Sequence, residues 1–284
     1  MAAFGPLVTA AWLRRHAADA DLRLVDLRWY LDGRSGREAY LAAHLPGALF
    51  VDLERELTAP EGPGRHPIAG PGQFEEAMRA AGVDAESRVV VYDDQGGFSA
   101  ARLWWLLRYY GHPAVAVLDG GTAAWDGPLQ AGPVRAVRGN FRAAAADRSM
   151  VVDREHVRAA RDAVLIDARA GERYRGETEP IDAKAGHIPG ATNIPWRSNL
   201  GEDWRFLPPA QLRSKYAAAA EAGETIAYCG SGVSTSVDLL AMEVAGIRGA
   251  RLYEGSWSDW SRHELPVATG EERAPQGGQE RRRA

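Results

Sequence analysis

The sequence predicts an α/β chain of two tandem domains, each a parallel sheet flanked by helices. Three observations carry this. The chain repeats itself in order: LVDLR at 24–28 returns as LIDAR at 165–169, HLPGA at 44–48 as HIPGA at 187–191, VVVYDD at 89–94 as TIAYCG at 225–230, and LDGGTAAW at 118–125 as YEGSWSDW at 253–260. The offset stays between 135 and 143 residues, far beyond the period of solenoid repeats. Short apolar runs such as RLVDL, RVVVY and AVAVLDGG have the length and branched content of buried parallel strands. Helical stretches alternate with them, the pattern of strand–helix crossovers.

The elements follow in order. MAAFGPLVTAAWLRRHAADADL reads as a helix capped by Thr9. It has no basic region leading into a long apolar one, and it carries Asp19 and Asp21, so it is not read as a targeting segment. FSAARLWWLLRYYG at 98–111 reads as a helix with Ser99 near its start and Gly111 as its stop. VSTSVDLLAMEVAG at 233–246 is its counterpart, ending at Gly246. Trp104 and Trp105 read as packing residues. Pro, Gly and Arg with weak periodicity over 126–150 read as a connection passing over the first domain. The expected domains are 1–130 and 151–270, joined by a linker at 131–150. The polar residues 271–284 are expected to be disordered.

Composition narrows the function. The 284 residues are 45% hydrophobic and 25% charged, enough for two cores. A net charge of −4 gives no basic excess for nucleic acid. No apolar stretch approaches the roughly 20 residues that span a bilayer, so no membrane association is expected. The single cysteine forms no internal disulfide, and a reducing, cytoplasmic setting is expected. The seven histidines lack metal-ligand spacing, and no phosphate-cradling loop pattern occurs, so neither metal nor nucleotide cofactor is expected.

A duplicated chain supplies its own control: what both halves carry serves the fold, and what one half carries is a candidate for function. His44 and His187 occur in both, as do the pairs Asp26–Arg28 and Asp167–Arg169, and Gly120 and Trp125 with Gly255 and Trp260. Cys229 occurs once. Aligning Tyr92 with Tyr228 sets Asp93 opposite it, and the loop after it reads DQGGFS in one half and GSGVST in the other. A second asymmetry lies upstream: His44 comes four positions after Tyr40, but His187 comes thirteen after Tyr174. The insertion, RGETEPIDA, follows Arg173 and begins with Arg175; insertions on one copy often shape a site.

A cysteine between a strand end and a Gly-rich turn into a helix sits among inward-pointing N–H groups and near the positive end of the helix dipole. Gly230 and Gly232 let the backbone curl. Ser231, Ser234 and Thr235 add hydroxyls. The cradle favours a thiolate and a second negative charge beside it. Three enzyme classes use such a loop. A phosphatase of the tyrosine-phosphatase kind needs an arginine six residues on, where this chain has Thr235. A redox enzyme needs a resolving cysteine, and there is none. A sulfur carrier needs one thiol and an anion-friendly loop.

HLPGA and HIPGA after the first strand of each half, the Cys loop in the second half alone and YEGSWSDW near the end together resemble the tandem-domain rhodanese family, the thiosulfate and 3-mercaptopyruvate sulfurtransferases. The resemblance spans about residues 5–270. It implies two rhodanese-like domains, the first catalytically silent with an acidic residue, here Asp93, at the Cys position. It implies that Cys229 takes sulfur from a small anionic donor as a persulfide and passes it to a thiol, such as thioredoxin or a small thiol, or to cyanide. The active-site loop is then Cys229, Gly230, Ser231, Gly232, Val233 and Ser234. CGSGVS is similar to the loop of mercaptopyruvate enzymes; thiosulfate enzymes carry basic residues there, in a CRKGVT pattern. A thiosulfate-preferring enzyme and a relay module without turnover remain the alternatives. Of the family's two carboxylate-binding arginines, Arg173 matches the first. The second belongs in Glu-Pro-Arg, where this chain has Glu179-Pro180-Ile181, and Arg175 or Lys184 is the expected substitute. Some mercaptopyruvate enzymes carry an Asp–His–Ser relay, which maps onto Ser231, His66 and Glu54 or Asp52. His66 as a solvated loop histidine is the other reading.

Overall fold

The computed structural model describes residues 4–271, so the polar tail beyond Glu271 lies outside the described residues. Five strands form the first sheet: β1 (Leu7–Val8), β2 (Leu22–Asp26), β3 (Leu49–Phe50), β4 (Arg88–Tyr92) and β5 (Val115–Leu118), in the order β1-β5-β4-β2-β3. Five more form the second: β6 (Val151–Val152), β7 (Val164–Asp167), β8 (Ala191–Asn193), β9 (Thr225–Tyr228) and β10 (Arg251–Tyr253), in the order β6-β10-β9-β7-β8. The second order is the first, one repeat later. Every neighbouring pair is parallel, so each connection is a crossover and both sheet faces are covered.

The two-residue period of a strand divides the core. Val89 and Val91 of β4 join one apolar cluster, Val90 and Tyr92 another. In β9, Ala227 joins the cluster of Val89 and Val91, while Ile226 and Tyr228 join a third. Each sheet thus keeps a private core on its outer face, and the inner faces share one core that runs through both halves. Apolar burial joins the domains. The helices that follow the central strands, Ala100–Tyr109 and Thr235–Val244, pack on each other there. Gly111 and Gly246 end them at φ 80° and 75°, the left-handed conformation that stops a helix. The N-terminal helix, Ala10–His16, is capped by Thr9 Oγ1, which accepts from Trp12 N–H at 3.2 Å.

The connecting segment is bound along the first half. Gly132 N–H donates to Leu41 O, Phe141 N–H to Val83 O and Ala144 N–H to Tyr110 O, at 2.8, 3.0 and 3.0 Å. Phe141 is its apolar anchor, buried against Phe74 and His112.

The features shared by both halves do the same structural work twice. His44 and His187 are buried, stack on Tyr40 and Tyr174, and hydrogen-bond the backbone oxygens of those residues through Nδ1 at 2.8 and 2.7 Å. Arg28 pairs with Asp26 and Arg169 with Asp167, at 2.7 and 2.6 Å. The Tyr92 and Tyr228 hydroxyls each accept from the turn that follows the histidine, from Leu45 and Ile188 N–H at 3.1 Å.

Candidate active site

The loops after β4 and β9 start from the same backbone and end differently. In the first half the Asp93 carboxylate fills its own loop. Gln95 and Gly97 N–H donate to Oδ1 at 2.9 and 2.8 Å, and Ser99 and Ala100 N–H donate to Oδ2 at 2.9 Å. Four backbone donors converge on one anion. In the second half Cys229 stands at that place, buried, and only Gly232 N–H points to its Sγ, at 3.2 Å. The N–H groups of Ser231, Val233, Ser234 and Thr235 have no hydrogen-bond partner among the described residues. The same cradle is closed in one half and open in the other.

The glycines of this loop do two different things. Gly232 has φ 81°, so it makes the turn. Gly230 is there for room: a methyl group on it would lie 2.8 Å from Arg65 Nη2. The YEGSWSDW segment holds the cysteine from behind. Trp257 N–H donates to Cys229 O and Ser258 N–H to Gly230 O, both at 2.9 Å. Ser256 Oγ accepts from Cys229 N–H at 3.3 Å. Ser256 has φ 51°, where the first half has Gly121 at φ 54°. A serine in that conformation is strained, of order 1–3 kcal/mol. The second half accepts this strain where it gains a hydroxyl against the cysteine backbone.

The insertion brings carboxylates to the site. Arg173, on the short helix Gly171–Tyr174, donates from Nη2 to Glu179 Oε1 and Asp182 Oδ2 at 2.7 and 2.9 Å, and from Nε to Glu179 Oε2 at 3.2 Å. Burial pushes Glu179 up, but Arg173 and the Asp182 and Ile181 N–H groups outweigh it and hold the carboxyl below its usual range. Arg65, from the first domain, pairs with the other oxygen of Asp182.

Several expected site residues are elsewhere. Arg175 turns away to Glu177 and Glu271 on the surface, because those exposed carboxylates flank it while Glu179 and Asp182 are taken by Arg173, Arg169 and Arg65. Lys184 donates to His263 O at 2.8 Å. Glu54 accepts from Trp29 Nε1 at 3.1 Å rather than from His66, and Asp52 caps the helix Leu53–Glu56. The acid of the supposed relay is therefore an indole partner or a helix cap. The solvated reading of His66 also gives way: the residue is 7% exposed.

His66 Nδ1 lies 2.7 Å from Ser231 Oγ, and Trp29 packs edge-on against the ring. Burial, then the charges of Arg102 and Arg65, push His66 down to about 4, so it is neutral at neutral pH. Arg102 was hidden inside an apolar helix in the sequence. It is 1% exposed and crosses the domain boundary, donating from Nη1 to Gly232 O at 3.1 Å and from Nη2 to His66 O at 3.2 Å. Burial pulls its guanidinium down to about 10, which leaves it charged at neutral pH. A cation is thus buried against the cysteine loop with two carbonyl oxygens as its hydrogen-bond partners.

Comparison with known proteins follows from this geometry. The profile of the rhodanese-like domain matches residues 9–127 and again 154–263. The chain belongs to the rhodanese-like family. A probable 3-mercaptopyruvate sulfurtransferase of Pseudomonas aeruginosa is 42% identical over 280 residues, covering 93% of this chain and 98% of that one. A putative thiosulfate sulfurtransferase of Mycobacterium tuberculosis, SseB, is 40% identical over 267 residues, covering 90% and 93%. The crystal structure of SseA, the 3-mercaptopyruvate sulfurtransferase of Escherichia coli, matches with a TM-score of 0.80 and 34% identity over 89% of this chain and 99% of that one. The chain is an enzyme of the sulfurtransferase class, with two rhodanese-like domains of five parallel strands each. No helix among the described residues is long and apolar enough to cross a membrane.

Proposed function

We propose that the protein transfers sulfur from 3-mercaptopyruvate through a persulfide on Cys229 to a thiol acceptor. The observation that carries this reading is the open cradle around Cys229 where Asp93 closes the same cradle in the first domain. Four N–H donors hold two carboxylate oxygens there, so the equivalent loop suits a negatively charged outer sulfur.

The thiolate attacks the donor sulfur. The S–S bond forms as the carbon–sulfur bond breaks, its electron pair leaves on the pyruvate enolate, and the proton of the donor thiol ends on that carbon. An acceptor thiolate then attacks the outer sulfur, takes it as its own persulfide and returns Cys229 as thiolate. The two half-reactions make a ping-pong cycle. Ser256, Trp257 and Ser258 fix the Cys229 and Gly230 backbone throughout, and Arg102 fixes Gly232.

A thiosulfate donor is the second reading. Arg65 over Gly230 supplies a cation that the loop sequence itself lacks, and SseB of M. tuberculosis is named for thiosulfate. Steady-state assays of pyruvate release from mercaptopyruvate and thiocyanate formation from thiosulfate plus cyanide decide between them. The proposal expects the larger kcat/KM with mercaptopyruvate. A larger value with thiosulfate reverses the donor, and turnover with neither removes the enzymatic reading.

A further inference from the structure

We propose that Arg65 of the first domain is the second guanidinium of the donor-carboxylate site, acting across the domain boundary with Arg173 of the second. The inference rests on the sulfurtransferase reading of Cys229 and names the residue pair that selects a small α-keto acid.

Placement comes first. A methyl group on Gly230, the residue after Cys229, would lie 2.8 Å from Arg65 Nη2 and 3.6 and 3.8 Å from Arg173 Nη1 and Nη2. Both guanidinium groups therefore stand over the first loop residue. Glycine at 230 leaves that volume open.

The remaining hydrogen-bonding capacity points the same way. Arg65 Nη1 is taken up by Asp182. Arg173 Nε and Nη2 are taken up by Glu179 and Asp182. Arg65 Nη2 and Arg173 Nη1 have no hydrogen-bond partner among the described residues. These are the two nitrogens nearest to Gly230 on their respective groups. Asp182, with a side chain 3% exposed, sets the spacing between them as a bridge.

The backbone under Arg65 is anchored from both domains. Gly64 has φ 74°, and a Cβ on it would meet Gly255 O at 2.4 Å and Ser258 Oγ at 2.8 Å, so only glycine allows this approach. Arg65 N–H donates to Ser258 Oγ and Ile68 N–H to Glu254 Oε1, both at 3.1 Å. Arg102 Nη2 holds the next carbonyl, of His66. Such anchoring belongs to a group that must be held in place against a ligand rather than left to sweep through solvent.

Two planar cations with one free N–H-bearing nitrogen each, over the residue that follows Cys229, fit a carboxylate that gives one oxygen to each. The charges of Arg65 and Arg173 are offset by Glu179 and Asp182, so recognition rests on directed donors more than on net charge. Ile181, exposed on the insertion, takes no part, and Arg175 and Lys184 are bonded elsewhere.

The test uses the one cysteine of the chain as reporter. Iodoacetate and iodoacetamide alkylate the same sulfur and differ only in the carboxylate. Their rate constants at Cys229, followed by intact mass, give a ratio for each variant. Arg65→Gln is expected to lower the iodoacetate-to-iodoacetamide ratio about 10-fold or more, with the iodoacetamide rate constant retained. Arg65→Lys keeps part of the ratio, and KM for 3-mercaptopyruvate rises in the same order. An unchanged ratio in Arg65→Gln overturns the proposal. So does an equal fall of both rate constants, which would make Arg65 a support of the loop only. A fallen ratio in a protein that turns over no mercaptopyruvate would keep the carboxylate site and remove the donor reading.

Discussion

Arg102 Nη1 lies 3.1 Å from Gly232 O, so a buried charge on the first domain holds the cysteine loop of the second. Gly232 N–H in turn points at Cys229 Sγ. Moving Arg102 moves the donor that faces the sulfur. Arg102→Met leaves the His66 carbonyl unsatisfied, at about 1–3 kcal/mol, and leaves Gly232 O with only the long 3.5 Å contact from Ser236 Oγ. We predict that kcat/KM for the donor falls roughly 10- to 100-fold. Arg102→Lys recovers only part, because an ammonium on a shorter reach does not span both carbonyls. Steady-state kinetics of the two variants, with circular dichroism to show folding, check this.

His66 predicts a pH dependence of a particular sign. Its pKa is lowered by burial and by Arg102 and Arg65 from 6.5 to about 4. Between those values the unfolded chain binds a proton that the folded protein refuses, so stability falls as pH drops from about 6.5 toward 4. His66→Gln should flatten that part of a Tm-versus-pH curve. Across pH 6–8 the ring stays neutral, so a kcat/KM inflection in that interval should persist in His66→Gln. Loss of the inflection in the variant would assign it to His66.

Asp238 carries the opposite sign. It is fully buried on the helix after the cysteine loop, where Tyr216 OH and Asn199 Nδ2 donate to its Oδ1 at 2.7 and 3.1 Å. Burial raises it to about 7. The folded protein then holds a proton that the unfolded chain releases near pH 4, and stability falls as pH rises from about 4 through 7. Asp238→Asn keeps the Oδ1 acceptor without the charge. Its Tm relative to the parent should increase by several degrees between pH 5 and pH 8, measured by differential scanning calorimetry, and an unchanged difference would contradict the assignment.

Much of this was legible in the sequence because each half could be read against the other. The parallel sheet with its flanking helices, the twin histidine turns and the exchange of Asp93 for Cys229 are properties of one domain, visible when two copies are aligned. What crosses between the domains was not legible. Arg65 N–H and Ser258 Oγ are 193 residues apart, and no spacing rule connects them. A local signal did exist for Arg102: it is the one charge in SAARLWWLL, and Asp238 is the one charge in the counterpart stretch STSVDLLAM. A lone charge in each of two buried helices marks a group with a task, since burying an unpartnered charge is costly. Arg175 lies two residues from Arg173 in the chain, yet the exposed Glu177 and Glu271 draw it to the surface. Glu54 lies at the aligned place of the relay acid in the chain, yet in space it is bonded to Trp29.

The central claim is a sulfur carried on Cys229. Incubating the protein with 3-mercaptopyruvate in the absence of an acceptor and recording its intact mass tests this most directly. The account predicts an increase of about 32 Da, one sulfur atom, that is discharged by a thiol and absent in Cys229→Ser. An increase that survives in Cys229→Ser, or pyruvate release from a protein that never gains this mass, would contradict it.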